Sequence, residues 1–347
     1  MNILYIGDTN PNSTSYHRSQ ALVRLGHNVT LADPYRFLGN LLSNPIISKI
    51  NYETGYTLVQ PKINKWIRNT ITSTINIDII WINSGELLGP GAIKRLKRLN
   101  KPVVLYNNDD PTGTRDRNRF KQLKKALYLY DLCAVVREPT YQDFLKLNIR
   151  KVIKVWMSYD EKAHQATLDK SKIPEQYVSD VAFIGTWMRN ESRDIFILEL
   201  LKNNINVSIW GDRWEKSTYW PLLKKHHKGG ALGGNNYVYA IQGAKVVLGL
   251  LSKGNRDLHT QRSMEVPYAG GLLCAERTAE HQMLFTEGVE AVFWNDATEC
   301  ASICIELLQN DSKREEIRKN GNNKIKALEV GNEDICKYIL NQFKEKW

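Results

Sequence analysis

Short apolar runs alternate along the chain with longer stretches in which apolar positions recur at helical spacing. Residues 2–6, 28–32, 77–82, 102–106 and 132–136 read as buried strands. Between them a helix ends near Leu25-Gly26, where Gly26 suits the left-handed position after a helix, and residues 94–99 and 119–130 carry helical spacing. Residues 33–76 are less regular, punctuated by Pro34, Pro45 and Pro61, and predict loops with a helix or two. A connecting strand at 152–156 and a polar stretch at 158–179 form the expected interdomain segment. The alternation then resumes, with strands at 181–184, 207–210, 246–250, 272–275 and 291–294. Helices are expected near 190–203, 235–242, 258–268, 279–286, 297–309, 311–328 and 333–343. Strand and helix alternating in this way predict α/β architecture with parallel, doubly wound sheets. The expected domains are residues 1–160, residues 161–332 and a terminal helix at 333–347 that packs back on the first domain.

Composition narrows the picture. A chain of 347 residues accommodates two domains of ordinary size, and 42% hydrophobic with 24% charged residues fits a water-soluble globular protein. No apolar run approaches the roughly 20 residues that span a bilayer. The chain enters a strand directly, without a basic leader, so a cytoplasmic protein is expected. Five scattered cysteines without metal-ligand spacing read as reduced thiols; Cys300 and Cys304, one helical turn apart, read as core, and no metal site is expected. The net charge of +11 is lopsided. Residues 1–165 hold 24 basic and 13 acidic side chains, whereas residues 166–347 hold 24 of each. Arg18, Lys94, Arg95, Lys97, Arg98, Arg115 and Arg117 make up the expected anion-attracting surface; solvated helix faces are the plain alternative.

The candidate chemistry lies just after strands, where ligands of open α/β sheets bind. Residues 7–18 lack GxGxxG, which disfavours hydride transfer. His17, at the start of the first helix, is a candidate base or a surface residue. Asp109 and Asp110 follow the strand at 102–106. One suits proton acceptance and the other a helix cap, against the plain reading of an Asp-Asp-Pro turn. Gly185-Thr186 ends a strand, where backbone N–H groups cradle phosphates. Arg189 and Arg193 share a face of the expected helix. Lys253, His259 and Arg262 offer a second cationic wall for a leaving nucleoside diphosphate. Arg262 and Glu265 stand three apart before the Gly270-Gly271 turn. That pairs a phosphate-binding cation with a ribose-binding carboxylate, or else makes a surface ion pair.

The stretch from Arg262 to Glu280 resembles the nucleotide-sugar-binding segment of GT-B glycosyltransferases, in particular the branch with CgeB-like spore-maturation proteins. Asp180 to Trp187 followed by Arg193, the turn at Gly211 (Ile209 to Trp214), and Asn107 to Pro111 resemble further elements of that branch. The resemblance spans about residues 100–300. It implies two facing Rossmann-like domains with a cleft between them, the first for the acceptor and the second for the donor. It also implies a nucleotide-sugar substrate, a UDP-sugar first among the options, with no cofactor and no bound metal, since arginines and helix dipoles neutralise the diphosphate.

The expected activity is glycosyl transfer to an acceptor hydroxyl, with Asp109, or else Asp110 or His17, as base if the enzyme inverts. The expected acceptor is a cell-surface glycan or lipid-linked saccharide met at the inner membrane face; no obligate protein partner is expected. A weaker resemblance to phage DNA β-glucosyltransferases keeps DNA open as an alternative acceptor. Two other classes remain: a sugar-nucleotide epimerase on the same fold, and a non-catalytic polyanion-binding protein.

Overall fold

The computed structural model describes residues 1–74, 76–167 and 169–343. Ile75, Leu168 (within the expected interdomain segment) and residues 344–347 of the expected terminal helix lie outside it. The chain divides into two compact units. Unit 1 comprises Met1–Trp156, Gly254–Arg256 and the chain from Asn332 onward; unit 2 comprises Met157–Lys253 and Asp257–Gly331.

Unit 1 is built on β1 (Asn2–Ile6), β2 (Asn28–Ala32), β3 (Ile79–Asn83), β4 (Val103–Asn107), β5 (Leu132–Val135) and β6 (Val152–Lys154). All pair in parallel, in the order β2-β1-β3-β4-β5-β6. Every residue of β3, β4 and β5 is buried, as expected of central parallel strands covered on both faces. The strand order reverses between β1 and β3, which defines this sheet's ligand edge. The helix Thr14–Arg24 starts at Ser13, whose hydroxyl accepts from the Tyr16 N–H. The helix Asn332–Asn341 packs on it, with an Arg24–Glu333 ion pair.

Unit 2 carries β7 (Ser179–Ile184), β8 (Val207–Trp210), β9 (His227–Gly229), β10 (Ala244–Gly249), β11 (Leu273–Glu276) and β12 (Val292–Trp294). They form a second parallel sheet in the order β12-β11-β10-β7-β8-β9. Counted from β7 this is the Rossmann order 3-2-1-4-5-6, and its switch point lies between β7 and β10.

Several elements depart from the sequence reading. Residues 33–76 are mostly helical, with helices Pro34–Leu38, Asn40–Ser43, Pro45–Glu53 and Gln60–Ser73. Two of the three prolines that read as breaks, Pro34 and Pro45, start helices at their first position, where the missing N–H costs nothing. The third, Pro61, is the second residue of Gln60–Ser73. The helix Glu138–Leu145 was not foreseen, nor was β9, whose His-Lys-Gly sequence has no apolar alternation.

Candidate functional site

At the switch point of unit 2, β7 ends in Gly185-Thr186 and β10 runs into residues 250–253. The turn after β7 is held by the Trp214 indole, which donates to the Gly185 carbonyl at 2.9 Å. Gly211 passes so close that a Cβ there would lie 2.2 Å from that same carbonyl oxygen. Its φ of +142° also excludes most side chains, so both demands require glycine. The Gly185 N–H is bonded to the Trp210 carbonyl, whereas no protein acceptor among the described residues takes the Thr186 N–H.

Arg262 and Glu265 lie on the helix Gln261–Tyr268, which Thr260 and Ser263 close with a capping box. The Arg262 Nε donates to the Ile184 carbonyl at 3.0 Å, so β7 itself aims the side chain. Among the described residues its two terminal amino groups have no protein acceptor. Burial disfavours its charge, yet the neighbouring Tyr237 and Glu265 outweigh this and raise its pKa. Glu265 is buried; its Oε2 accepts from the Tyr237 hydroxyl at 2.5 Å, and its Oε1 lies 3.5 Å from His164 Nε2. His164 Nδ1 accepts from the Asp160 N–H, which leaves the proton on Nε2, toward Glu265.

The other expected donor residues take structural places. Arg193 is buried and donates to the Thr186 carbonyl at 2.8 Å and toward the Leu251 carbonyl at 3.5 Å, bolting the ends of β7 and β10 together. Arg189 does not share its helical face: the helix begins at Arg193, after left-handed residues at Asn190 and Ser192, and Arg189 is exposed. Lys253 is ion-paired with Glu276. His259 is no cationic wall. Its Nε2 accepts from the Met157 N–H at 3.1 Å while Nδ1 faces Glu280 at 2.5 Å, so both nitrogens of the buried ring are engaged within the protein. Gly270 takes φ +80° to end the helix, and the Gly270 and Gly271 N–H groups bond back to Pro267 and Val266, leaving neither for a ligand.

In unit 1 the two adjacent aspartates separate. Asp110 is buried and accepts from Arg256 (Nε and Nη2, both 2.6 Å), the Thr140 hydroxyl (2.9 Å) and the Gly113 N–H (3.1 Å). Burial alone would raise its pKa; the Arg256 and Thr140 hydrogen bonds outweigh it and hold the carboxyl below its usual value. Saturated in this way, Asp110 is an anchor, not a base. Asp109 is half-buried, and among the described residues its carboxylate has one longer contact, 3.5 Å to Arg119 Nη1. Arg119 also meets Asp116 and the buried Glu86, which accepts from the Tyr35 hydroxyl at 3.0 Å. Burial lifts the Glu86 pKa; Arg119 opposes this, and the Asp109 charge adds to it. Glu86 escaped the sequence reading. Glu86 carries the same signal as Asp109, a carboxylate just after a strand, and could have been found by it. His17 stands half-buried in the first turn of its helix.

The expected cationic surface shrinks. Arg18 is buried, its guanidinium 3.6 Å from the Tyr106 ring centroid and donating to Asn83 at 2.8 Å. Lys97 binds both oxygens of Asp131, Arg115 pairs with Asp116, and Arg117 lies 4.0 Å from Glu53. Lys94 and Arg98 are exposed and Arg95 half-exposed. Among the described residues, one group has the makings of a metal site: the buried thiols of Cys274, Cys300 and Cys304, whose sulfurs lie within 4.8 Å of one another. The helix spacing of Cys300 and Cys304 was visible in sequence; Cys274 reaches them from β11. They sit in the core of unit 2, packed among its apolar residues.

A buried histidine beside this site yields a pH prediction. His281 Nδ1 faces the Glu276 carbonyl at 2.6 Å and Nε2 the Ser263 hydroxyl at 2.7 Å. Burial lowers its pKa from 6.5 to about 4, against the opposing pull of the Glu276 carbonyl. Between those values the unfolded chain binds the proton and the folded one does not, so stability is full above pH 6.5 and falls as pH drops toward 4. The loss is about 3 kcal/mol. Chemical unfolding of His281→Gln should show a shallower acid slope than the wild type; parallel slopes would reject the assignment.

A family model described as "Glycosyl transferase-like" matches residues 189–331, which fall in unit 2 apart from residues 254–256. No curated protein matches the chain by sequence. Among solved structures, Anabaena HepE in complex with UDP-glucose is 12% identical, with a TM-score of 0.71 over 99% of this chain and 100% of that one. Sucrose-phosphate synthase from Thermosynechococcus elongatus is 13% identical, with a TM-score of 0.69 over 99% and 98%. AviGT4, a glycosyltransferase involved in avilamycin A biosynthesis, is 12% identical, with a TM-score of 0.61 over 99% and 97%. The fold is therefore GT-B, with two Rossmann-like domains. Among the described residues, no helix is long and apolar enough to cross a membrane.

Proposed function

We propose that the protein is a glycosyltransferase that takes its sugar from a nucleotide sugar, a UDP-sugar first among the candidates. The observation that carries this reading is Arg262, aimed by the end of β7 with its terminal amino groups unengaged among the described residues, at the switch point of a Rossmann sheet. The glycosyltransferase-like match over unit 2 supports it, as does the UDP-glucose held by HepE. In this reading Arg262 binds the diphosphate. The Thr186 N–H adds a backbone donor, and Glu265 offers its remaining lone pairs to ribose hydroxyls.

In the transfer step an acceptor hydroxyl attacks the anomeric carbon and its proton passes to the Asp109 carboxylate. The bond from that carbon to the β-phosphate oxygen breaks, and Arg262 stabilises the charge left on the nucleoside diphosphate. Arg119, itself held by Glu86, positions Asp109. The acceptor is a membrane-face glycan or lipid-linked saccharide; Lys94, Arg95 and Arg98 supply its anion-attracting surface.

Calorimetry with UDP tests the donor half: Glu265→Ala should lose about 1.5–3 kcal/mol, roughly tenfold or more in affinity, while staying folded. Unchanged affinity would remove Glu265 from the site. Turnover is expected to survive EDTA, because in this reading Arg262 and the Thr186 N–H, rather than a bound metal, meet the diphosphate. Loss of activity on chelation with recovery on Mg²⁺ or Mn²⁺ would overturn that. Charge reversal at Lys94, Arg95 and Arg98 should weaken binding to anionic vesicles and leave UDP binding intact. Retention of duplex DNA instead of vesicles at physiological salt would move the acceptor to nucleic acid.

A further inference from the structure

The helix Pro45–Glu53 in unit 1 is turned inside out. Its one buried side chain is the polar Asn51, while Ile46 is 73% exposed, Ile47 38% and Ile50 48%. Ile46 and Ile50 are four apart and Ile47 and Ile50 three apart, so these residues form one outward apolar face. Phe37 and Leu58, on the neighbouring segments, are exposed as well. A patch of large apolar side chains left in water marks an interaction surface, whereas a single exposed isoleucine does not.

The charges around it say what kind. Residues 34–73 carry five basic side chains, Arg36, Lys49, Lys62, Lys65 and Arg68, against one carboxylate, Glu53. All five are exposed. Lys49 stands three residues from Ile46 and borders the apolar face directly. A second copy of this chain would bring like charges together across the contact. Duplex DNA would satisfy the lysines and leave the isoleucines facing phosphates. An anionic lipid surface takes both, with the apolar side chains entering the acyl boundary and the cations meeting headgroup phosphates.

We infer that unit 1 docks on anionic lipid through the exposed isoleucine face of Pro45–Glu53, bordered by Lys49 and set in a segment, residues 34–73, with an excess of exposed basic side chains. This inference rests on the membrane-face acceptor proposed above. It names the contact and places it on residues other than Lys94, Arg95 and Arg98. The short helix lies in the interface without crossing it, so docking is reversible and weakens with salt.

The test is co-sedimentation of the full chain with vesicles of phosphatidylglycerol and phosphatidylcholine, against vesicles of phosphatidylcholine alone. Wild type is expected to partition onto the anionic vesicles only. The triple variant Ile46→Asn, Ile47→Asn, Ile50→Asn should partition roughly tenfold less or lower, with unchanged thermal unfolding because the side chains are exposed. Lys49→Glu with Lys62→Glu should also reduce binding. UDP titration of the same proteins keeps the outcomes separate: lost vesicle binding with intact UDP binding supports the inference, whatever the transfer assay shows. Equal vesicle binding by wild type and the triple variant would overturn it. So would failure of wild type to bind, or a wild-type dimer in light scattering that the triple variant dissolves.

Discussion

Arg262→Ala is expected to lower affinity for UDP by about a hundredfold or more, and donor turnover with it. Two charge-assisted hydrogen bonds to phosphate are removed together, a loss of about 3 kcal/mol or more. Folding should suffer little, since among the described residues the Arg262 side chain makes one hydrogen bond, to the Ile184 carbonyl. Arg262→Lys is the informative companion. It keeps the charge and loses the fork, so it should recover only part of the affinity. Titration calorimetry on the two variants checks this, and wild-type affinity in a folded Arg262→Ala protein would remove the residue from the donor site.

The second large effect separates two neighbours that sequence cannot tell apart. Asp110→Ala should cost about 2–3 kcal/mol of stability. It strips Arg256 of its main acceptor and removes the carboxylate that the buried Thr140 hydroxyl donates to. The figure falls below that for a fully buried pair because Arg256 is partly exposed. Asp109→Asn should unfold like wild type and lower transfer by roughly a hundredfold, as expected when a general base is removed. Denaturant unfolding and transfer assays on the two variants read these outcomes. A destabilised Asp109→Asn, or a stable and inactive Asp110→Ala, would exchange their roles.

The strands were legible because central parallel strands are apolar on both faces: 2–6, 102–106 and 132–136 announce themselves without reference to partners. The helices of residues 33–76 were not. Prolines signal a break or a first turn alike, and only the fold shows which. At the candidate site, spacing set Arg262 and Glu265 side by side because one helix carries both. It overcounted cations for one physical reason. Arg193, Lys253, Lys97 and Arg115 look available in a linear chain, yet each meets an acceptor that folding delivers: the Thr186 carbonyl, Glu276, Asp131 and Asp116. His259 shows the same limit in reverse. A backbone N–H from Met157, 102 residues away, occupies its Nε2. Arg256 reaches Asp110 across 146 residues, and no local pattern could have paired them.

The measurement that bears most directly on the central claim is a titration of the wild-type protein with UDP-, GDP-, dTDP- and CMP-sugars, read by calorimetry. Saturable binding of one nucleotide class, UDP-sugars first, that Arg262→Ala abolishes is the predicted result. Absence of binding to every class by the folded wild-type protein, or binding that Arg262→Ala leaves intact, would contradict it.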